Sequence, residues 1–166
     1  MKKIAVIYWS GTGNTEAMAM AVLEGAKEVN PDTKITNVAE ISADDAENYD
    51  TLILGCPAMG AEVLEEEEFE PFFSALESKL SGKNVALFGS YGWGDGEWMR
   101  SWEERVASSG AKLIDSEGLI INEAPDNDAL EQCRELGKKA AALCRRRGKS
   151  ISGFINEIRF CFILIA

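Results

Sequence analysis

Between residues 3 and 147, short apolar runs alternate with helix-patterned stretches, and this alternation constrains the fold more than any other feature of the chain. Lys3–Trp9, Thr51–Gly55 and Asn84–Ser90 are apolar almost throughout, as strands covered on both faces must be. Lys34–Val38 is more polar and suits a place nearer a sheet edge. Lys112–Ile114 and Leu119–Ile121 read as a fifth strand, bent or split around Glu117-Gly118. Between these runs, Asn14–Val29, Glu68–Leu80, Glu97–Ser109 and Asp126–Arg147 read as helices; in the first two, apolar residues recur at the three-and-four spacing of one buried face. Asn30-Pro31-Asp32, Ser81-Gly82 and Gly110 end the first three of them. Strands separated by helices pair in parallel through right-handed crossovers. The expected fold is α/β: a three-layer sandwich around a five-stranded parallel sheet.

The 166 residues favour one domain, and a hydrophobic share of 46% is enough to fill a single core. The formal net charge is −11; residues 148–166 carry Lys149, Arg159 and Glu157, a net of +1, so the first 147 carry −12. Such acidity repels nucleic acid and anionic membrane and suits a basic protein partner, while also serving solubility. Histidine is absent, which removes the commonest general base and metal ligand, and no metal site is expected. Cys56, Cys133, Cys144 and Cys161 form no Cys-x-x-Cys pair. Cys133 and Cys144, 11 residues apart, fall on the inner face of one helix, and buried thiols fit a reducing cytoplasm. The N-terminus reads as a first strand rather than a signal peptide, and no stretch reaches the roughly 20 apolar residues of a membrane span.

Three loops carry the chemistry. Ser10-Gly11-Thr12-Gly13-Asn14-Thr15 follows the first strand and opens the first helix. Its glycines permit a tight turn in which backbone N–H groups converge at the positive end of a helix dipole. Ser10, Thr12, Asn14 and Thr15 add side-chain donors, which makes a cradle for phosphate. It is neither a nucleotide P-loop, since no Lys or Arg lies between Lys3 and Lys27, nor a dinucleotide fingerprint, since Glu16 stands where a third glycine belongs. A neutral loop suits a terminal monophosphate; an ordinary glycine-rich turn is the plainer alternative. Pro57-Ala58-Met59-Gly60-Ala61-Glu62 follows the third strand, with Gly60 suggesting an unusual backbone angle. Ser90-Tyr91-Gly92-Trp93-Gly94-Asp95-Gly96 follows the fourth, and large aromatics between glycines suit a flat ligand. Trp98 and Trp102, one turn apart, read as core. Glu62, Glu65, Glu66, Glu67, Glu68 and Glu70 read as a solvated helix start and as a negative collar beside the second loop, two readings that can hold at once.

S-G-T-G-N-T behind an apolar strand, then G-C-P-A-M-G, E-P-F-F and F-G-S-Y-G-W-G-D-G-E-W-M in that order, resembles the short-chain flavodoxins from residue 3 to about 147. The fifth strand lacks the insertion that marks long-chain members. The resemblance implies strand order 2-1-3-4-5, the doubly wound order that flavodoxin itself typifies, with FMN at the switch point between strands 1 and 3. It implies that Ser10, Gly11, Thr12, Gly13, Asn14, Thr15 and Ser90 hold the phosphate. Ala58, Met59, Gly60, Ala61 and Glu62 would run along the ring, with Met59 on its inner face, the Gly60 carbonyl toward N5 and Glu62 accepting from N3–H. Trp93 would cover the outer face, beside Tyr91, Gly92 and Gly94. The implied function is low-potential one-electron transfer on noncovalent FMN, between basic-surfaced reductases and ferredoxin-type donors or acceptors. No substrate turnover of its own, a monomeric state and a cytoplasmic location are expected.

The nearest rival is a flavodoxin-fold NAD(P)H–quinone reductase, which needs longer loops and a dimer interface for its second site. A response-regulator module needs clustered aspartates where Trp9-Ser10 stand. A piece of a diflavin reductase is the third, and the lack of a following FAD domain weighs against it. The expected division is a domain over residues 1–147 and a tail over 148–166. An extra strand, an apolar tail and a sequence artefact all remain open for that tail; its apolar run Phe160–Ala166 is about a third of a bilayer span.

Overall fold

Alternate residues of a strand face opposite sides of a sheet, and here both sides are apolar. In Ile4–Tyr8 (β1), Ala5 and Ile7 join one core cluster while Ile4 and Val6 join the other. The computed structural model describes residues 2–146. Thr51–Gly55 (β3) is buried at every position, and Asn84–Tyr91 (β4) at all but its two ends. Lys34–Asn37 (β2) is partly exposed at the edge, as its polarity suggested. All pairings are parallel, in the order β2-β1-β3-β4, with Val6 between Ile35 and Ile53, and Ile53 beside Ala86. The fifth position holds two short strands, Lys112–Leu113 (β5) and Leu119–Asn122 (β6), both paired with β4. In the break, at Gly118, the backbone runs so close to Met99 that a Cβ would lie 2.3 Å from its sulfur. The order 2-1-3-4-5 therefore holds, with the last strand split.

Asn14–Val29 (α1) and Asn127–Arg146 (α5) cover one face through Met18, Val22, Ala26, Cys133, Ala140 and Cys144. The other face is covered by Phe69–Glu77 (α3, in chain order after the short α2 below) and Glu97–Ser108 (α4), through Phe69, Phe73, Leu76, Trp98, Trp102 and Val106. The edges of Trp102 and two phenylalanines interlock, with ring centroids 5.3 Å and 5.7 Å apart. α1 and α5 touch backbone to backbone: a Cβ at Gly25 would lie 1.9 Å from the Arg134 carbonyl oxygen, and one at Gly137 2.0 Å from that of Val22. Two short elements escape the periodic reading. A single 3-10 turn spans Val38–Glu40, so β2 ends one residue earlier than expected, where the Asn37 side chain accepts from Ala39 N–H. Ala43–Ala46 (α2) is capped by Ser42.

Burial pushes the Cys56 and Cys133 thiols up, Cys133 to about 12, so neither is a nucleophile near neutral pH. Cys161 and the 148–166 tail lie outside the described residues. No helix among the described residues is long and apolar enough to cross a membrane. Because the strands are parallel, their starts share one edge. Lys2 and Lys3 precede β1, Lys34 opens β2, Lys83 precedes β4 and Lys112 opens β5. The three glycine-rich loops share the opposite edge.

Candidate functional site

A cleft of about 540 Å³ opens at the C-terminal ends of β1, β3 and β4. Gly11, Thr12 and Asn14 line it from the first loop, Ala58 and Met59 from the second, and Ser90, Tyr91 and Gly92 from the third. Trp9, Pro57, Glu123 and Ala124 complete the wall. The remaining expected residues, Ser10, Gly13, Thr15, Gly60, Ala61, Glu62, Trp93 and Gly94, stand beside or behind this lining. A wider depression of about 1020 Å³ runs along α5 past Asp115, Glu131, Glu135 and Lys138.

The first loop is folded around Ser10. Its Oγ accepts from the N–H groups of Gly13 and Glu16, each at 3.2 Å, which leaves the hydroxyl proton to donate outward. Gly13 sits at φ 97, a left-handed angle that launches α1. Beneath the loop Thr15 Oγ1 and Ser90 Oγ are 2.8 Å apart and buried; one donates to the other, so one hydroxyl proton of the pair remains for a ligand. Among the described residues no protein acceptor takes the N–H groups of Gly11, Thr12, Asn14 or Thr15. Four unpaired N–H groups, several hydroxyls and no cationic side chain are a donor set that fits a monophosphate.

The second loop is a tight hairpin. Met59 and Val63 exchange backbone hydrogen bonds at 2.8 and 3.0 Å, and Gly60 (φ 49) and Glu62 (φ 53) turn the chain between them. Glu62 then reaches across to the third loop. Its Oε1 accepts from the N–H groups of Asp95, Gly96 and Glu97 at 3.1, 2.9 and 3.0 Å, capping α4. Its Oε2 has no partner among the described residues. Gly94, at φ 89, leaves room for that carboxylate: a Cβ there would lie 2.2 Å from it. Met59, Val63 and Trp93 are 39%, 40% and 62% exposed, three of the four large exposed apolar side chains in the described residues. Exposed apolar groups gathered at a cleft mouth suit a planar ligand. Tyr91 instead leans on Trp98, 5.5 Å between centroids, whose indole N–H donates to the Cys56 carbonyl; Trp98 and Trp102 are core, as read.

The glutamate run is only in part a solvated collar. Glu65 is buried, and its carboxylate accepts from the N–H groups of Glu67, Glu68 and Phe69 at 2.8–2.9 Å, capping α3. Burial pushes its carboxyl up, but those three donors outweigh it and hold the group below its ordinary range. The Arg105 guanidinium, bidentate on Glu70, likewise holds that carboxyl low. Glu68 is bonded to Trp9. Glu66 and Glu67 alone keep carboxylates without a partner among the described residues. Two parts of the wall carry no signal in the sequence: Trp9, which fits the end of a strand, and the loop that follows β6. Glu123 there is left-handed at φ 56, held by its N–H on the Tyr91 carbonyl at 2.7 Å.

The flavodoxin family model matches residues 6–137. The flavodoxin of Clostridium beijerinckii is 52% identical over 136 residues, which take in 82% of this chain and 97% of that one. The chain belongs to the flavodoxin family. The flavodoxin of Megasphaera elsdenii is 48% identical over 138 residues, 83% of this chain and 98% of its own. The solution structure of that flavodoxin in its two-electron reduced form superposes with a TM-score of 0.76, covering 84% of this chain and 98% of the other. Flavodoxins carry electrons on FMN, and the monophosphate cradle beside exposed Met59 and Trp93 fits that group. This chain is accordingly an FMN-dependent electron carrier.

Proposed function

We propose that this flavodoxin is a low-potential one-electron carrier that works as a cytoplasmic monomer between basic-surfaced reductases and ferredoxin-type partners, with no substrate turnover of its own. Residues 1–147 form the working domain. What supports the reading is the pairing of unpartnered loop N–H groups with a cleft lined by Met59 and the exposed Trp93 on the loop beside it. When bound, FMN supplies the one-electron chemistry; the chain supplies its setting. Gly11, Thr12, Asn14 and Thr15 present N–H groups to the phosphate, with Ser10, Gly13 and Ser90 holding the loop in shape. Met59 and Trp93 exclude water from the ring, alongside Ala58, Ala61, Tyr91, Gly92 and Gly94. On this reading the Gly60 carbonyl, without a partner among the described residues, would accept a hydrogen bond from a ring N–H, and Glu62 Oε2 from another.

The purified protein is expected to be yellow and to release FMN, identified by mass, on heating or acidification. Stoichiometric FAD would overturn the cofactor assignment. NAD(P)H oxidation by the pure protein, measured in the steady state, is expected to be negligible; sustained turnover would favour the reductase alternative.

A further inference from the structure

One aromatic ring ties the acidic segment before α3 to the phosphate loop. Trp9 leaves the end of β1 and lines the cleft. Its indole Nε1–H donates to Glu68 Oε2 at 2.6 Å, across 59 residues of sequence. Its benzo edge lies against Gly11, where a Cβ would sit 2.8 Å from Trp9 Cη2 and 3.2 Å from Cζ3. Glu68 in turn is anchored, because its N–H is one of the three that the buried Glu65 carboxylate holds. The contacts thus run from Glu65 to Glu68, to Trp9, to Gly11.

We propose that Trp9 is a further cofactor-binding residue, a strut that fixes the phosphate loop, and that Glu68 is its positioning residue, acting through the hydrogen bond and not through its charge. The inference rests on the FMN reading above. Charge and strut act with opposite sign on the same ligand. A carboxylate near a phosphate dianion repels it, so as a field Glu68 weakens FMN binding, and an exposed group does so feebly in salt. As the holder of Trp9 it strengthens binding, and it does so for the phosphate end of the ligand.

The test compares FMN and riboflavin dissociation constants for the full chain, E68Q, E68L, W9F and the W9F/E68L double variant. An amide oxygen still accepts the indole proton, so E68Q is expected to stay near wild type. E68L and W9F are expected to weaken FMN roughly two- to tenfold, the value of one ordinary hydrogen bond, and riboflavin much less. W9F/E68L is expected to be no weaker than W9F, because both changes cut the same contact. Tighter FMN binding in both E68Q and E68L would make Glu68 a field and overturn the proposal, as would equal losses for FMN and riboflavin. A second arm needs no cofactor. In the flavin-free protein the Trp9 indole N–H resonance, assigned by its loss in W9F, is expected to move much further in E68L, where the bond is lost, than in E68Q, where an amide oxygen keeps it. If wild type bound no FMN, the cofactor reading would fall while this arm still judged the Trp9–Glu68 bond.

Discussion

Gly60 stands at φ 49 with no atom within 4 Å of where its Cβ would be. A side chain there meets only the backbone cost, roughly 1–3 kcal/mol for a β-branched residue in the left-handed region. If its peptide turns over when the bound flavin is reduced, Gly60→Thr is expected to bring the two one-electron potentials closer together while FMN stays bound. A potentiometric titration checks this; unchanged separation would leave Gly60 a turn residue. Gly82, also left-handed at φ 77 with open space around it and at the end of the sheet away from the cleft, is the control. Gly60 was legible in the sequence because a glycine at a strand end has few other uses. Glu62 and Glu123 were not legible as left-handed residues, because each angle is held by a bond to a distant loop. Trp9 was hidden for the same reason: its backbone obeys the strand pattern, while its side chain answers to Glu68.

α3 begins without a side-chain cap from the residue before it; the Glu65 carboxylate does that work. Because its folded-state pKa is depressed, its contribution to stability is present above the ordinary value of 4.5 and lost as pH falls through the lower folded value. Glu65→Ala is expected to cost about 1–3 kcal/mol at neutral pH by orphaning three N–H groups. The gap to wild type in urea midpoint is expected to shrink as pH falls below 4.5; a gap constant to pH 3 would mean that the charge is irrelevant. On the opposite face, Gly137→Ala forces α5 off α1, since the added Cβ meets a carbonyl at 2.0 Å. Overpacking typically costs about 1–3 kcal/mol, so a clear drop in melting temperature is expected with the cofactor loops unaltered. The four long helices and the strands β1, β3 and β4 were readable because each is long enough to show a helical pattern or an unbroken apolar run. α2 and the 3-10 turn, four and three residues long, are too short for one. The α1–α5 contact was silent because mid-helix glycines look like blemishes until the partner helix is seen.

The whole sheet is parallel, so the sequence order of strands settles which end of the molecule each charge occupies. The net charge of −11 was plain from composition, but not its distribution. Glu70 is neutralised by Arg105, and Arg100 lies between Asp95 and Glu97. The unpaired field beside the cleft therefore comes from residues such as Glu66, Glu67 and Glu123. Electron transfer to a basic partner is expected to slow as salt rises, with screening over about 8 Å at physiological ionic strength. Glu66→Gln with Glu67→Gln is expected to flatten that salt dependence more than Glu70→Gln; equal effects would show that only total charge matters. The lysines at the strand starts then acquire a consequence. A basic partner pulls harder on the acidic cleft end than on the far end, where lysines offset Asp32, Glu47 and Asp50, which is a torque as well as an attraction. The carrier is turned cleft-first while still in solution, so more of its collisions arrive in a pose from which an electron can leave.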